Sequence, residues 1–316
     1  MSVMLPFEHN VPIQSYSHFV FYLGILAGRG VDVYPYMFNH FLSFCFLKAT
    51  AQVGFLEMPK ALQVFRLRPF SRDLAAPVSF FKRTLDDGKY VNVHLNHKYI
   101  SASVREKDYV HDFLLYGYSD ETQSFYAKGY VFDGEHAFLI NSAFELPYAE
   151  AEKSYRATGA KANMFANNYI IDVRKDPGEK LQKAKIRRDL FFYLHDLIPS
   201  TPLMPVNRHV YASLQATLER APDLIMDFPL WKTMEDRAAF LLEFERRLGL
   251  EPEKQAKCEK MKGILYAAQI YMALYGARAE FSEERKNKVV RTLSGNLTAV
   301  GELEPEIMRD LYLAMK

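Results

Sequence analysis

The segment Tyr109-Val-His111-Asp112-Phe-Leu-Leu-Tyr116-Gly117-Tyr118-Ser-Asp120 gathers groups that can move a proton. A histidine heading an apolar strand that runs into a Gly-Tyr turn can present a general base to a nucleophile carried on a separate helix. Asp112, Asp120 and Asp133 are the carboxylates placed to orient such a ring. The competing reading of His111 is a satisfied polar residue at a strand end. The matching nucleophile is sought in Gln14-Ser15-Tyr16-Ser17-His18, at the head of the first apolar helix. Ser15 or Ser17 would need a well-placed base, because an alkoxide is far rarer than a thiolate at neutral pH. Gln14 could donate to an oxyanion through its amide. Both serines could equally be helix caps.

The chain has two cysteines. Cys45 lies in the apolar run Leu42-Ser-Phe-Cys-Phe-Leu47, where a thiol is inert packing. Cys258, between Lys257 and Glu259-Lys260, reads as a surface position. His94 and His97 stand three apart on a strand and so point to opposite faces unless the strand ends between them. No metal site and no cofactor are therefore expected. Arg66, Arg68, Arg72, Lys82 and Arg83 alternate with Phe65, Phe70, Phe80 and Phe81, which reads as a solvated connector over core aromatics rather than a nucleic-acid surface.

These residues need elements to hold them. Pro12 and Gly28-Arg29-Gly30 bracket a helix over Ile13–Ala27. Met37–Lys48 is apolar throughout and fits a buried helix or strand equally. Tyr90–Leu95 alternates with period two, and Tyr109–Tyr118 and Ser124–Phe132 flank the turn residues 119–122, which predicts an antiparallel hairpin. The second half is helical. Its stripes are Tyr211, Leu214 and Leu218; Trp231, Met234, Ala238, Leu241 and Leu248; Ile264, Ala268, Tyr271 and Tyr275; and Val289, Leu293, Leu297 and Val300 behind a Ser282 cap. Pro305 is expected to open a final helix, Glu306–Met315.

Composition narrows the classes. The chain has 316 residues, 49% hydrophobic and 25% charged, with 40 Lys+Arg against 38 Asp+Glu, a net charge of +2. That profile excludes a disordered, collagen-like or disulfide-stapled chain and does not advertise nucleic-acid binding. Residues 1–150 carry 29 of the 45 aromatics and seven of the nine histidines, so chemistry is expected there. The opening Met1–Asn10 has no basic start, and the apolar run Phe19–Ala27 is well short of the roughly 20 residues that span a bilayer. A reducing cytoplasm without membrane association is the expected home.

With these residues in view, Tyr16-Ser-His18 leading the first helix and His111-Asp-Phe-Leu-Leu-Tyr-Gly-Tyr118 on a later strand resemble the N-terminal domain of the butirosin-type acyltransferase family. The helical remainder, around His209–Leu214 and Asp236–Phe240, is similar to relatives encoded near nonribosomal peptide and polyketide assembly lines. The resemblance implies an α+β, papain-like (bacteriocin-processing-peptidase-like) domain with an antiparallel sheet over residues 1–150, a connector over 151–205 and an all-α domain over 206–316. It further implies an acyltransferase or thioester hydrolase that takes an acyl group from a carrier protein or its phosphopantetheine arm. On that reading His111, Ser17, Ser15, Gln14, Asp112 and Asp120 are the catalytic candidates, and Tyr16, His18, Tyr22 and Tyr116 face the substrate. The chain departs from the family at the nucleophile, because no cysteine stands in the first helix. The alternative is the same fold used as a binding module for a carrier protein, peptide or small molecule, with Tyr16, Tyr22, Tyr34 and Tyr36 lining its cleft.

Overall fold

A computed structural model describes residues 1–49, 51–56, 62–104, 107–132, 139–158, 168–174, 178–222, 228–276 and 282–315. In chain order the elements are β1 (Ser2–Met4), α1 (Ser17–Gly28), α2 (Val33–His40), β2 (Phe44–Leu47), β3 (Gln52–Phe55), β4 (Phe65–Phe70), α3 (Pro77–Asp86), β5 (Tyr90–Asn96), β6 (Val110–Ser119), β7 (Ser124–Phe132), β8 (Leu139–Pro147), α4 (Tyr148–Arg156) and β9 (Asn168–Val173). Helices follow: α5 (Lys183–Leu194), α6 (His209–Arg220), α7 (Phe228–Arg247), α8 (Pro252–Gly276) and α9 (Glu283–Ala314). The protein is a mixed α+β chain with an antiparallel sheet and a helical C-terminal region.

The chain divides into two compact units. The first comprises residues 1–11, 17–31 and 63–177; the second comprises 12–16, 32–62 and 178–316. Residues 32–62 thus pack with the C-terminal helices, and residues 168–173 return to the sheet because β9 pairs with both β4 and β5.

In the first unit the strands run in the order β4-β9-β5-β6-β7-β8, with β1 added on β6, and every recorded pairing is antiparallel. Alternation sorts the side chains. Val91, Val93 and Leu95 of β5, Phe113 and Leu115 of β6 and Phe125, Ala127 and Val131 of β7 share one face, closed by Phe81 and Leu85 of α3 and Ala151 and Tyr155 of α4. Each Val, Leu and Phe among them, fully buried, gains about 1.5–3 kcal/mol.

The other face, carrying His94, Asp112 and Lys128, meets α1. That helix is apolar almost all round, and Phe19, Val20, Phe21, Leu23, Ile25 and Leu26 are all essentially inaccessible, as a helix with no polar stripe must be. Gly24 and Gly28, one turn apart, leave room for the segment Pro6–Glu8. A Cβ at Gly24 would stand 2.4 Å from the Phe7 ring and one at Gly28 2.5 Å from Phe7 N, and Glu8 N donates to Gly24 O at 2.9 Å. The helix begins at Ser17 rather than Ile13, because the preceding residues are held elsewhere: Gln14 N donates to Asp236 Oδ2 at 2.7 Å inside the second unit. Its stop at Gly28 matches expectation, and Gly30 takes the left-handed conformation with φ +78°.

The second unit is built on α6–α9. Met37–Lys48, ambiguous by periodicity, supplies both a helix end and a strand. Phe38 of α2 stacks on Phe244 of α7 at 4.0 Å. Tyr211, Leu214, Leu218, Trp231, Met234, Ala238, Leu241, Leu293, Leu297 and Val300 are buried as their spacing predicts. The α8 stripe is different from the expected one: Cys258, Met261, Leu265, Ala268 and Met272 face inward, and Tyr271 is exposed. The apolar positions around Tyr271 are so dense that two stripes compete, and packing selects the one at 258, 261, 265, 268 and 272. Pro305 does not open a helix but lies inside α9. The buried face Val300, Glu304, Ile307, Met308 and Leu311 runs straight across it, so packing on both sides holds the axis. No helix among the described residues is long and apolar enough to cross a membrane.

Candidate functional site

Asp112 is the centre of the polar cluster on the α1 face of the first unit. It stands opposite His94 in the β5–β6 register. Ser17, in the first turn of α1, donates its hydroxyl to Asp112, with Oγ 2.7 Å from Oδ1 and 2.8 Å from Oδ2. His111 Nδ1 lies 2.8 Å from Asp112 Oδ1 and 3.3 Å from the Asp112 carbonyl. The strand geometry explains how neighbouring residues on opposite faces can meet. The β6–β7 ladder stops at Phe113–Gly129, so the start of β6 is free to let the His111 ring fold back onto its own neighbour.

The electrostatics follow from this contact. Burial opposes charge on both partners, yet the attraction between them wins: Asp112 is held well below the usual carboxylate range by His111, His94 and the Ser17 hydroxyl, and His111 is raised by Asp112. The contact favours the imidazolium–carboxylate form of the pair. Tyr109 stacks on His111 at 6.0 Å, and Tyr130 and His97 approach it edge-on at 6.0 and 6.3 Å.

His94 behaves differently. Its backbone N–H donates to Asn168 Oδ1 at 2.8 Å, which fixes the amide oxygen toward it, and its Nδ1 lies 3.3 Å from the same oxygen. An oxygen can only accept, so Nδ1 carries the hydrogen and Nε2 keeps its lone pair. Burial lowers the His94 pKa below 6.5, against the pull of Asp112, so the ring is neutral at pH 7. Tyr22 of α1 is raised by burial and by the charge of Asp112, and its ring packs at 4.9 Å on Phe65.

The remaining expected site residues lie elsewhere. Ser17 and Asp112 come together, but Ser17 faces Asp112 and not His111. Asp120 cannot orient His111: it sits nine residues along the chain, about 30 Å away at strand rise, bonded to Lys82 Nζ and to Tyr148 Oη. Asp133 lies outside the described residues. Tyr116 occupies the β6 bulge near the opposite end, stacked on Phe7 at 5.2 Å. Gln14, Ser15 and Tyr16 fall in the second unit. The Gln14 backbone holds Asp236, and Ser15 is buried with no hydrogen bond to its Oγ. His18 is a residue of α1, and its side chain lies outside the description. Tyr36 is core, 1% exposed against His40 and Phe41.

Neither cysteine is activated. Cys45 is buried on β2 and burial pushes its thiol up to about 11. Cys258 is not a surface residue but the inward position of the α8 stripe, and burial beside Glu245 raises its thiol further still. Both lack the electropositive, open surroundings that make a thiolate.

β5 does end between His94 and His97, but His97 turns to Ser103 Oγ at 2.8 Å, and no metal-ligand cluster occurs among the described residues. A separate cavity of about 460 Å³ is bordered by Lys98, Tyr99, Ser101, Glu150 and Lys153, and it holds none of the Ser17–Asp112–His111 chain.

Sequence reasoning missed His94 as a paired imidazole and missed Asn168 entirely. The partner of a histidine on β5 comes from β9, 74 residues later, and only the strand order brings them together. No family model matches the chain, and no curated protein does.

Proposed function

We propose that the first unit is a binding module for a carrier-borne acyl group, a peptide or a small molecule, built on a papain-like framework whose covalent step has been lost. One observation carries this reading: the group that strand β6 offers to the head of α1 is Asp112, a carboxylate already paired with His111. A base that takes a hydroxyl proton works best with a pKa near the operating pH, and Asp112 lies far below it. Ser17 therefore serves as a hydrogen-bonding group and not as an activated nucleophile.

The second reading is an acyltransferase or thioester hydrolase, and His94 favours it. Its neutral ring, oriented by Asn168, has a lone pair on Nε2 in the same cluster. Ser17 Oγ would attack a thioester carbonyl, its proton passing to His94 Nε2 and the carrier thiol leaving with that proton. Incubation with an acyl-pantetheine thioester followed by intact-protein mass spectrometry separates the two. The binding reading expects no adduct, together with saturable binding that weakens at least tenfold in Asp112→Ala. An acyl adduct on Ser17, absent in Ser17→Ala and slowed about 100-fold or more in His94→Gln, overturns it in favour of the enzyme.

A further inference from the structure

Lys128 is the one charged side chain that β7 turns to the α1 face without a counter-charge among the described residues. It pairs with Leu114 of β6 and Ala143 of β8, while Ala127 points to the apolar core, so the Lys128 side chain emerges on the same face as Asp112. It is 4% exposed. Among the described residues no hydrogen-bond acceptor or carboxylate reaches its ammonium, and its charge opposes a charge on His9. Burial alone acts on it, against charge. Around it lie aromatics: Tyr126 two residues back on the same strand face, Tyr116 at 6.3 Å from Tyr126, and Phe7 and His9, both packed on Tyr116.

An ammonium held mostly away from water without a partner is costly, and a bound anion would supply the missing charge. Other lysines of this protein show the alternative. Lys82 meets Asp120 and Lys232 meets both Glu235 and Asp236. From this contrast we propose that Lys128 anchors an oxyanion, the carboxylate or phosphate group of a small ligand, on the α1 face of the sheet between Tyr116 and Tyr126. The Lys128 ammonium supplies the charge, and the aromatic surroundings lower the local polarity, which strengthens the ion contact. This site is separate from the Ser17–Asp112 contact and stands whether or not Ser17 is ever acylated.

The test is thermal unfolding of the full chain at pH 7 and constant ionic strength, titrated with inorganic phosphate and, separately, with acetate against sodium chloride. A saturable rise of about 2–4 °C in the midpoint is expected with at least one oxyanion, its identity separating phosphate from carboxylate ligands. Lys128→Met, which removes an unpartnered amine, folds with an unchanged or higher midpoint and loses the rise; Lys128→Arg retains it. An equal rise in Lys128→Met, or no rise with either anion in the wild type, overturns the proposal. Lys128→Met that unfolds far below the wild type overturns it too, because the amine would then have a partner within the fold.

Discussion

In the helical unit Arg237 and Glu304 are inaccessible to solvent and meet at 2.7 Å, while in the sheet unit Asp112 and His111 meet at 2.8 Å with 16% and 26% of their side chains exposed. The two pairs use the same attraction and differ in how they are closed. The Arg237 guanidinium also donates to the carbonyls of Phe41 at 3.0 Å and Leu42 at 2.8 Å, and Tyr211 donates to Glu304, so every strand of that network ends on another part of the same unit. The Asp112 network ends on the buried Ser17 hydroxyl and on two histidines, His94 and His111, that stay partly exposed. A closed buried ion pair ties α7 and α9 to the loop after α2; a partly open one leaves its histidines within reach of solvent.

The largest effect that can break this comparison lies in the closed network. Arg237→Ala or Glu304→Ala should cost about 3–5 kcal/mol in chemical denaturation, because each leaves a buried charge alone. A loss below about 1 kcal/mol would mean that the pair is not the clasp of the helical unit.

Glu245 comes next. It is buried on α7 with no nitrogen or oxygen partner for its carboxylate among the described residues, and burial raises it to about 7 against the pull of the Cys258 thiol. A carboxyl that binds its proton more tightly folded than unfolded loses stability as pH rises from the unfolded value near 4.5 through 7, and the loss is complete above that. Glu245→Gln should therefore gain stability at pH 8, on the order of 3 kcal/mol at most, and gain almost nothing at pH 4.5. A gain that is independent of pH would contradict it.

For the open network, Asp112→Asn removes the attraction that raises His111 and leaves burial unopposed. The His111 titration, followed by NMR, should fall from above 6.5 to below it, and stability at pH 6 should drop by about 1.5–3 kcal/mol. In the wild type the His111 contribution is complete below pH 6.5 and fades as pH rises through the folded value; the Asp112 contribution is present above the ordinary carboxylate range and fades only in strong acid.

The smallest effect is outside both networks. Arg247 bonds Asp32 and Glu243 at the surface and lies 4.1 Å over the Tyr34 ring. Arg247→Ala should cost about 1 kcal/mol or less, with salt reducing it further.

How far the sequence could be read depended on how local the signal was. The hairpin over 110–132, the Ser282 cap with its Arg285 N–H at 3.4 Å and the stripe Val289–Val300 follow from turn residues, capping chemistry and helical period. Ser17 and Asp112 were legible as candidates because each sits at the head of its element. Which candidate meets which was not legible. His111 and Asp112 are adjacent in the chain; the β5–β6 register turns Asp112 to the α1 face, and the end of the β6–β7 ladder lets the imidazole fold back on it.

Cys258 shows the same limit from the other side. Three charged neighbours suggested a surface, yet a helix decides burial every three or four residues, and 258 falls in phase with 261, 265 and 268.

The sequence by itself determined the α+β character, the helical second half and the lack of an activated cysteine at the head of α1, because these depend on composition and on periods a few residues long. The tertiary structure alone decided the assembly of the polar face, bringing Ser17, His94, Asp112, Lys128 and Asn168 to one side of one sheet. Strand order and register are long-range choices, and a buried charge acquires or lacks its partner only when they are made.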